Sequence, residues 1–237
     1  MKTVPDKIYV IHYTKLQDRL EKLLPILQSS SIPYEIISEY DKETITDDIL
    51  AEKFDSGREN FDKKIQGLWD SRVHRYRELN MPEISCTLKH FSALEKLGNE
   101  CPNYGMIIED DIFFEEDFSN KFEKLIQETP LDWDSVFLGE GCGVPFIRSR
   151  LTTAKRVTDG VYLVDHPATN CAECYLVKPE MAKKLAQSLP FSLVSDWEIS
   201  YQLFKHDAKV FWWVPPLASQ GSKNGTYKSE LDMGQRG

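Results

Sequence analysis

The sequence predicts a single α/β domain built on a mostly parallel sheet, and three observations predict it. The chain opens in the order strand, helix, strand, which favours parallel pairing through a crossover helix. The same alternation returns in its last third. Its 237 residues suit one domain with insertions, and a chain of that length buries about 70% of its unfolded surface without disulfide or metal staples.

Each element follows from a local pattern. Lys7-Ile8-Tyr9-Val10-Ile11-His12-Tyr13 is short, β-branched and aromatic, a buried first strand. Leu20, Leu23, Leu24 and Leu27 give residues 17–28 an amphipathic helix, and Pro25 within it predicts a kink. Residues 33–37 form the second strand. The stretch 43–80 is charged and helical in pattern, an inserted or mobile region. Thr46 caps a helix there, with Asp47 and Asp48 in a first turn where the dipole favours acids. Phe61, Ile65, Leu68, Trp69, Val73 and Tyr76 make its second apolar stripe.

Ile84, Leu88, Phe91, Leu94 and Leu97 mark a buried helix after Pro82, with Gly98 as its stop. Residues 104–108 are a third strand, 118–129 a helix and 133–138 a fourth strand. A loop beginning Gly139-Glu140-Gly141-Cys142-Gly143 leads to a basic stretch with Arg148, Arg150, Lys155 and Arg156. Strands at 162–164 and 172–177, helices at 179–188 and 196–206, and a last strand at 210–214 complete the pattern. From Ser219 the chain is polar and reads as loosely held. The resulting organisation is one domain over 1–222 and a polar C-terminal tail over 223–237.

Composition narrows the function classes. Hydrophobic residues at 41% and charged residues at 28% exclude a disordered chain. A net charge of −9 argues against nucleic acid or anionic lipid as a broad partner, while leaving room for a local phosphate pocket. No apolar run approaches the roughly 18–20 residues of a membrane span, and the N-terminus lacks a signal-peptide apolar region. The expectation is a cytoplasmic protein with at most peripheral membrane contact. Five scattered cysteines fit a reducing compartment, where the sequon Asn224-Gly225-Thr226 is chemically silent.

The residues able to carry chemistry cluster at strand ends. Glu109-Asp110-Asp111 directly follows an apolar strand, where open α/β sheets place ligands. Strand geometry turns Glu109 and Asp111 to one side and Asp110 to the other. Carboxylates so close suit a hard cation such as Mn²⁺ or Mg²⁺ that also takes substrate phosphate oxygens; a solvated acidic turn is the competing reading. Arg19 follows the first strand and can grip a diphosphate, or pair at the surface with Asp18 or Glu21. His12 reads as a buried structural histidine, and so does His90. Cys171-Ala172-Glu173-Cys174 lacks the further ligand pair of a zinc site. Asp196 opens a helix, where the dipole stabilises its charged form and lowers its basicity; it is either a base or a helix cap. Trp197, Tyr201, Trp212 and Trp213 are core residues or sugar-stacking surfaces.

With these residues in view, the chain from about 6 to 222 resembles the family 25 glycosyltransferases, the group that contains lipopolysaccharide-type galactosyl- and glucosyltransferases and procollagen galactosyltransferases. Ile8-Tyr9-Val10-Ile11 through Asp18-Arg19 is similar to the family's opening strand and Asp-Arg, and Tyr40-Asp41 to its next element. Cys86-Thr87-Leu88-Lys89-His90 resembles its Gly-Cys-x-x-Ser-His helix, and Ile107-Ile108-Glu109-Asp110-Asp111 its Leu-Glu-Asp-Asp. Trp133 to Gly139, Tyr175 to Leu185, Ser195-Asp196-Trp197 and Pro216 to Gln220 follow in the family's order. This chain departs at His12, where Asn is common, at Lys89, where Ser is common, and at Ser85, where Gly precedes the Cys.

The resemblance implies a GT-A-like (Rossmann-like) mixed, mostly parallel sheet flanked by helices. It implies a nucleotide-sugar donor, UDP-galactose or UDP-glucose, an oligosaccharide or glycoconjugate acceptor, and inversion at the anomeric carbon. On that reading Asp111, with Glu109, holds Mn²⁺ or Mg²⁺. Ile11, His12, Arg19, Glu109, Asp110 and Gln220 bind the donor, and Asp196 takes the acceptor proton. A metal-dependent nucleotidyltransferase or phosphohydrolase, and a non-catalytic carbohydrate-binding module, are the alternatives.

Overall fold

The computed structural model describes residues 2–68, 76–141 and 143–228. Trp69 and Val73 of the second apolar stripe, Cys142 of the glycine-rich loop and residues 229–237 of the tail lie outside the described residues.

The opening unit is β1 (Ile8–Ile11), α1 (Gln17–Ser29) and β2 (Tyr34–Ile37). Helices α2 (Asp47–Lys53), α3 (Arg58–Leu68) and the long α4 (Met81–Glu100) follow, then β3 (Gly105–Glu109), β4 (Ile112–Phe114), α5 (Phe118–Glu128) and β5 (Ser135–Phe137). The chain continues through α6 (Val144–Leu151), β6 (Lys155–Thr158), β7 (Val161–Leu163), β8 (Cys174–Val177), α7 (Pro179–Ala186) and α8 (Ser195–Lys205). It closes with β9 (Val210–Trp213), β10 (Ala218–Gln220) and the one-turn α9 (Gly221–Asn224).

The main sheet has the order β2-β1-β3-β8-β5-β9-β7-β6. β1 pairs in parallel with β2 and β3, and β5 with β9. β8 runs antiparallel to β3 and β5, and β7 to β9 and β6. Followed across the sheet, β2, β1, β3, β5, β9 and β6 point one way and β8 and β7 oppose them. The sheet is therefore mixed and mostly parallel.

Helices cover both faces, so β1, β8 and β9 are buried along their whole length, as continuous apolar runs require. Alternate residues enter alternate cores. Tyr9, Ile107, Tyr175 and Trp212 face Leu94 of α4, Met181 of α7 and Ile199 of α8. Val10, Ile108, Leu176 and Trp213 face Leu23 of α1 and Phe122 of α5. Burial of a large apolar side chain contributes about 1.5–3 kcal/mol, so these two layers hold the strand ends in place. Trp212 and Trp213 are core residues; their Nε1 atoms donate to the Ala168 carbonyl at 2.5 Å and to Thr129 Oγ1 at 2.9 Å.

α1 continues through Pro25, which sits on its exposed face. Several other local expectations are revised. α4 runs past Gly98 to Glu100. That glycine serves close packing on α7 instead, since a Cβ there would lie 2.8 Å from Lys183 Cγ and 3.3 Å from the Pro179 carbonyl oxygen. The described part of 43–80 is docked: Phe54 bridges to Phe191, Phe61 and Ile65 are buried beside Leu193, and Lys64 binds the buried Glu198 at 2.7 Å. Nor are the described residues after Ser219 loose. β10 pairs antiparallel with β4, Gln220 opposite Ile112, and Tyr227 stacks on Phe113 at 6.0 Å.

Candidate active site

A cleft with a cavity volume of about 100 Å³ lies at the carboxyl ends of β1 and β3, against the first turns of α4. Parallel strands present their ligand-facing loops at this edge. Ile11, Arg19, Glu109, Asp110, Asp111 and Gln220 all line it. Arg19 is buried at 8% exposure because α1 carries it directly across the end of β1.

The three consecutive acids take three different sets of partners. Asp110 accepts from Arg19 Nη1 at 3.1 Å, and its other oxygen lies 2.8 Å from His12 Nδ1. His12 thus stands behind Asp110 and outside the cleft lining. Glu109 accepts from Gln220 Nε2 at 2.6 Å through Oε2, while its Oε1 is 3.4 Å from His90 Nε2. The β4–β10 pairing is what brings Gln220 back over the end of β3. Asp111 accepts from the Ser222 backbone N–H at 3.0 Å through Oδ2, and Oδ2 is 3.7 Å from Arg19 Nη1. Its Oδ1 is buried and has no hydrogen-bond partner among the described residues.

Burial, and then the charge of Glu109, push the Asp111 carboxyl up to about 6, against the lowering influence of Ser222 and Arg19. A buried carboxylate oxygen without a donor, beside a second carboxylate, costs free energy that a cation removes. The residues present therefore fit a divalent cation at Asp111 and Glu109.

Lys89 and Asp41 frame the opposite wall. Lys89, 2% exposed, donates to the Ser38 and Glu39 carbonyls at 3.0 and 2.9 Å and to Asp41 Oδ1 at 2.7 Å. Thr14 bonds the other Asp41 oxygen, so Asp41, held by Lys89, ties the loop after β1 to the loop after β2. Ser85 donates to the Tyr40 carbonyl at 2.6 Å on the same wall.

Asp196 lies in the first turn of α8, half-buried, outside the residues that line the cleft. Its charge acts on Glu109 and His90. The helix start was expected to lower its basicity; instead burial, aided by Glu109, outweighs the Trp197 N–H bond and lifts the carboxyl to about 6. Such a group is mostly ionised at neutral pH yet basic enough to accept a proton.

The sequence reads His90 as an ordinary core residue and gives Cys86, beyond its place in the family-like helix motif, no chemical role. The structure sets both against Glu109, with Cys86 Sγ 4.0 Å from Oε1. Burial and then Glu109 push the Cys86 thiol well above its ordinary value. Their spacing of four residues on one helix was the available signal. Tyr227 was also unforeseen; its ring lies 5.1 Å from the Arg19 guanidinium, and Arg19 Nη2 donates to the Lys228 carbonyl at 2.7 Å. No helix among the described residues is long and apolar enough to cross a membrane.

Comparison with known proteins gives this arrangement a family. Residues 5–197 match the model of glycosyltransferase family 25, described as an LPS biosynthesis protein. The chain is similar to procollagen galactosyltransferase 2 of Mus musculus and of Homo sapiens, 26% identical over 193 residues in each case. Those matches cover 78% of this chain but 28% of each relative, so the chain spans under a third of their length. It is 23% identical over 137 residues to the inactive glycosyltransferase 25 family member 3 of Homo sapiens, covering 56% of this chain and 22% of that one. Among solved structures, mouse xyloside xylosyltransferase 1 in its apo form matches 86% of this chain and 70% of its own, with a TM-score of 0.34 and 12% identity, too distant to bear on the fold. By the match over residues 5–197, the chain belongs to glycosyltransferase family 25.

Proposed function

We propose that the protein transfers a hexose, galactose or glucose, from a UDP-sugar to a hydroxyl of a saccharide or glycoconjugate, with inversion at the anomeric carbon. The observation that carries this reading is the buried Oδ1 of Asp111, without a hydrogen-bond partner among the described residues, beside Glu109 in a cleft that also holds Arg19. Asp111 and Glu109 would hold Mn²⁺ or Mg²⁺, which when bound neutralises charge on a departing diphosphate. Arg19 adds a fixed positive charge on the same wall, its fork anchored by Asp110 rather than searching for a partner. Gln220 orients Glu109 through the 2.6 Å bond. Asp196 accepts the proton of the acceptor hydroxyl as that oxygen bonds to the anomeric carbon and the bond to the diphosphate oxygen breaks. UDP leaves from the opposite face.

Relatives named as inactive support a second reading, a module that binds donor without transferring it. Incubating the full chain with UDP-galactose or UDP-glucose, Mn²⁺ and a panel of saccharide acceptors separates the two. The proposal expects UDP and a glycosylated product of inverted linkage. Donor binding with no product from any acceptor favours the binding module, and release of phosphate or pyrophosphate favours a phosphohydrolase or nucleotidyltransferase.

A further inference from the structure

Cys86 and His90 lie one turn apart on the same face of α4, and β3 delivers Glu109 to that face. His90 Nε2 and Cys86 Sγ approach the same oxygen, Glu109 Oε1, at 3.4 and 4.0 Å. All three donor atoms lie within 4.8 Å of one another. A tetrahedral zinc ion, with bonds of about 2.0–2.1 Å to nitrogen and oxygen and about 2.3 Å to sulfur, sets its ligand atoms about 3.4–3.6 Å apart. The nitrogen–oxygen edge already has this length, and the thiol needs only a small side-chain closure.

The donor set is sulfur, imidazole nitrogen and a single carboxylate oxygen. That combination selects zinc over Mn²⁺ or Mg²⁺, which prefer carboxylate, phosphate and water oxygens. Its surroundings also suit a metal ligand. The Tyr175 hydroxyl lies 3.2 Å from His90 Nδ1 and its ring stacks on the imidazole at 5.9 Å, fixing the ring with Nε2 toward Glu109. Three protein ligands leave a fourth position for water, the pattern of open zinc sites.

We propose that Cys86, His90 and Glu109 bind Zn²⁺ at a site distinct from the hard-cation position at Asp111. The sulfur coordinates as thiolate and its proton leaves to solvent. Glu109 contributes Oε1 and keeps its Oε2 bond to Gln220. Because Glu109 belongs to both positions, zinc draws it away from the hard cation and lowers sugar transfer. Only that last consequence rests on the activity proposed above.

The test is metal binding by the full chain, with no donor or acceptor present. Co²⁺ added to the metal-free protein is expected to bind one per chain and produce a thiolate-to-cobalt charge-transfer band, which Zn²⁺ then displaces. Cys86→Ser should abolish the band and weaken Zn²⁺ by at least about tenfold, and His90→Gln should weaken it comparably. Cys101→Ser and Cys171→Ser should keep the band, and Asp111→Asn should keep it too and weaken zinc far less than Cys86→Ser does. Circular dichroism checks each variant's fold; if Cys86→Ser does not fold, His90→Gln and Glu109→Gln carry the same readout. Absence of the band in the folded parent, its survival in Cys86→Ser, or an equal loss of zinc binding in Asp111→Asn would overturn the proposal.

Discussion

Replacing Asp196 with Asn separates two consequences of burying a carboxyl beside Glu109. Burial first, and the charge of Glu109 after it, carry this group from an ordinary 3.8 to about 6. A base with that value is about nine-tenths ionised at pH 7 and about one-tenth at pH 5, so kcat/KM of the parent should fall roughly tenfold across that interval. Asn preserves the shape and the oxygen that accepts the Trp197 N–H at 2.9 Å, but it takes no proton. Turnover at pH 7 should drop by about 10²–10⁴-fold, and the acidic limb should flatten. Stability should move the other way. The folded value lies above the unfolded one, so folding favours the protonated acid. The penalty is absent below pH 3.8, grows as pH rises, and is complete above about 6. At about 1.36 kcal/mol per tenfold in proton affinity it amounts to at most about 3 kcal/mol. Asp196→Asn should therefore melt several degrees higher than the parent at pH 7.5 and equally at pH 4 and below. Initial rates of product formation between pH 5 and 8, with melting curves at the two pH values, supply both readouts. Transfer at the parental rate, or a Tm at pH 7.5 no higher than the parent's, would refute the reasoning.

Three further substitutions probe the cleft and the packing of the fold. Asp111→Asn should abolish the rise in Tm that Mn²⁺ gives the parent, a rise that corresponds to about 2.7 kcal/mol at a hundredfold excess over Kd; thermal melts with and without Mn²⁺ and chelator check it. Lys89→Met strands Asp41, which loses its 2.7 Å cation partner inside the wall, and should cost about 3–5 kcal/mol in urea unfolding. Adding Asp41→Asn should recover part of that cost. Gly141→Ala places a Cβ 2.4 Å from Cys171 Cβ and 2.6 Å from the Asn170 carbonyl oxygen, and should destabilise by about 1–3 kcal/mol, again by urea unfolding.

The parts of the fold visible in the sequence are those whose burial is uniform. β1 and β9 are covered on both faces, so every residue must be apolar, and Ile8-Tyr9-Val10-Ile11 and Val210-Phe211-Trp212-Trp213 announce themselves. α4 and α8 show because one stripe faces the sheet. β6 escapes notice because it is an exposed edge whose Lys155-Arg156-Val157-Thr158 carries the charge that keeps such edges unpaired. β4 and β10 are three residues each, and their pairing joins Ile112 to Gln220 across most of the second half of the chain. No window of local pattern contains both partners. The same long-range pairing turns a polar tail into a wall of the cleft.

The acidic triplet shows where local reasoning stops at the site itself. Alternation along β3 tells which side a carboxylate leaves the backbone but not what waits there. Asp110 meets Arg19 and His12, groups from the opening unit, and both its oxygens are committed to holding β1 and α1 against β3. Glu109 is divided between Gln220 on one oxygen and His90 and Cys86 on the other. Asp111 keeps one buried oxygen that no described residue satisfies. Three neighbouring acids of similar intrinsic chemistry thus acquire separate roles from partners 19 to 111 residues distant in sequence. Desolvation then sets the consequence, because an acceptor in water loses nothing by lacking a partner, whereas a buried one forfeits about 1–3 kcal/mol until a donor or a cation arrives. The ligand preference of this corner therefore follows less from the presence of three acids than from which single oxygen the fold leaves unpaired.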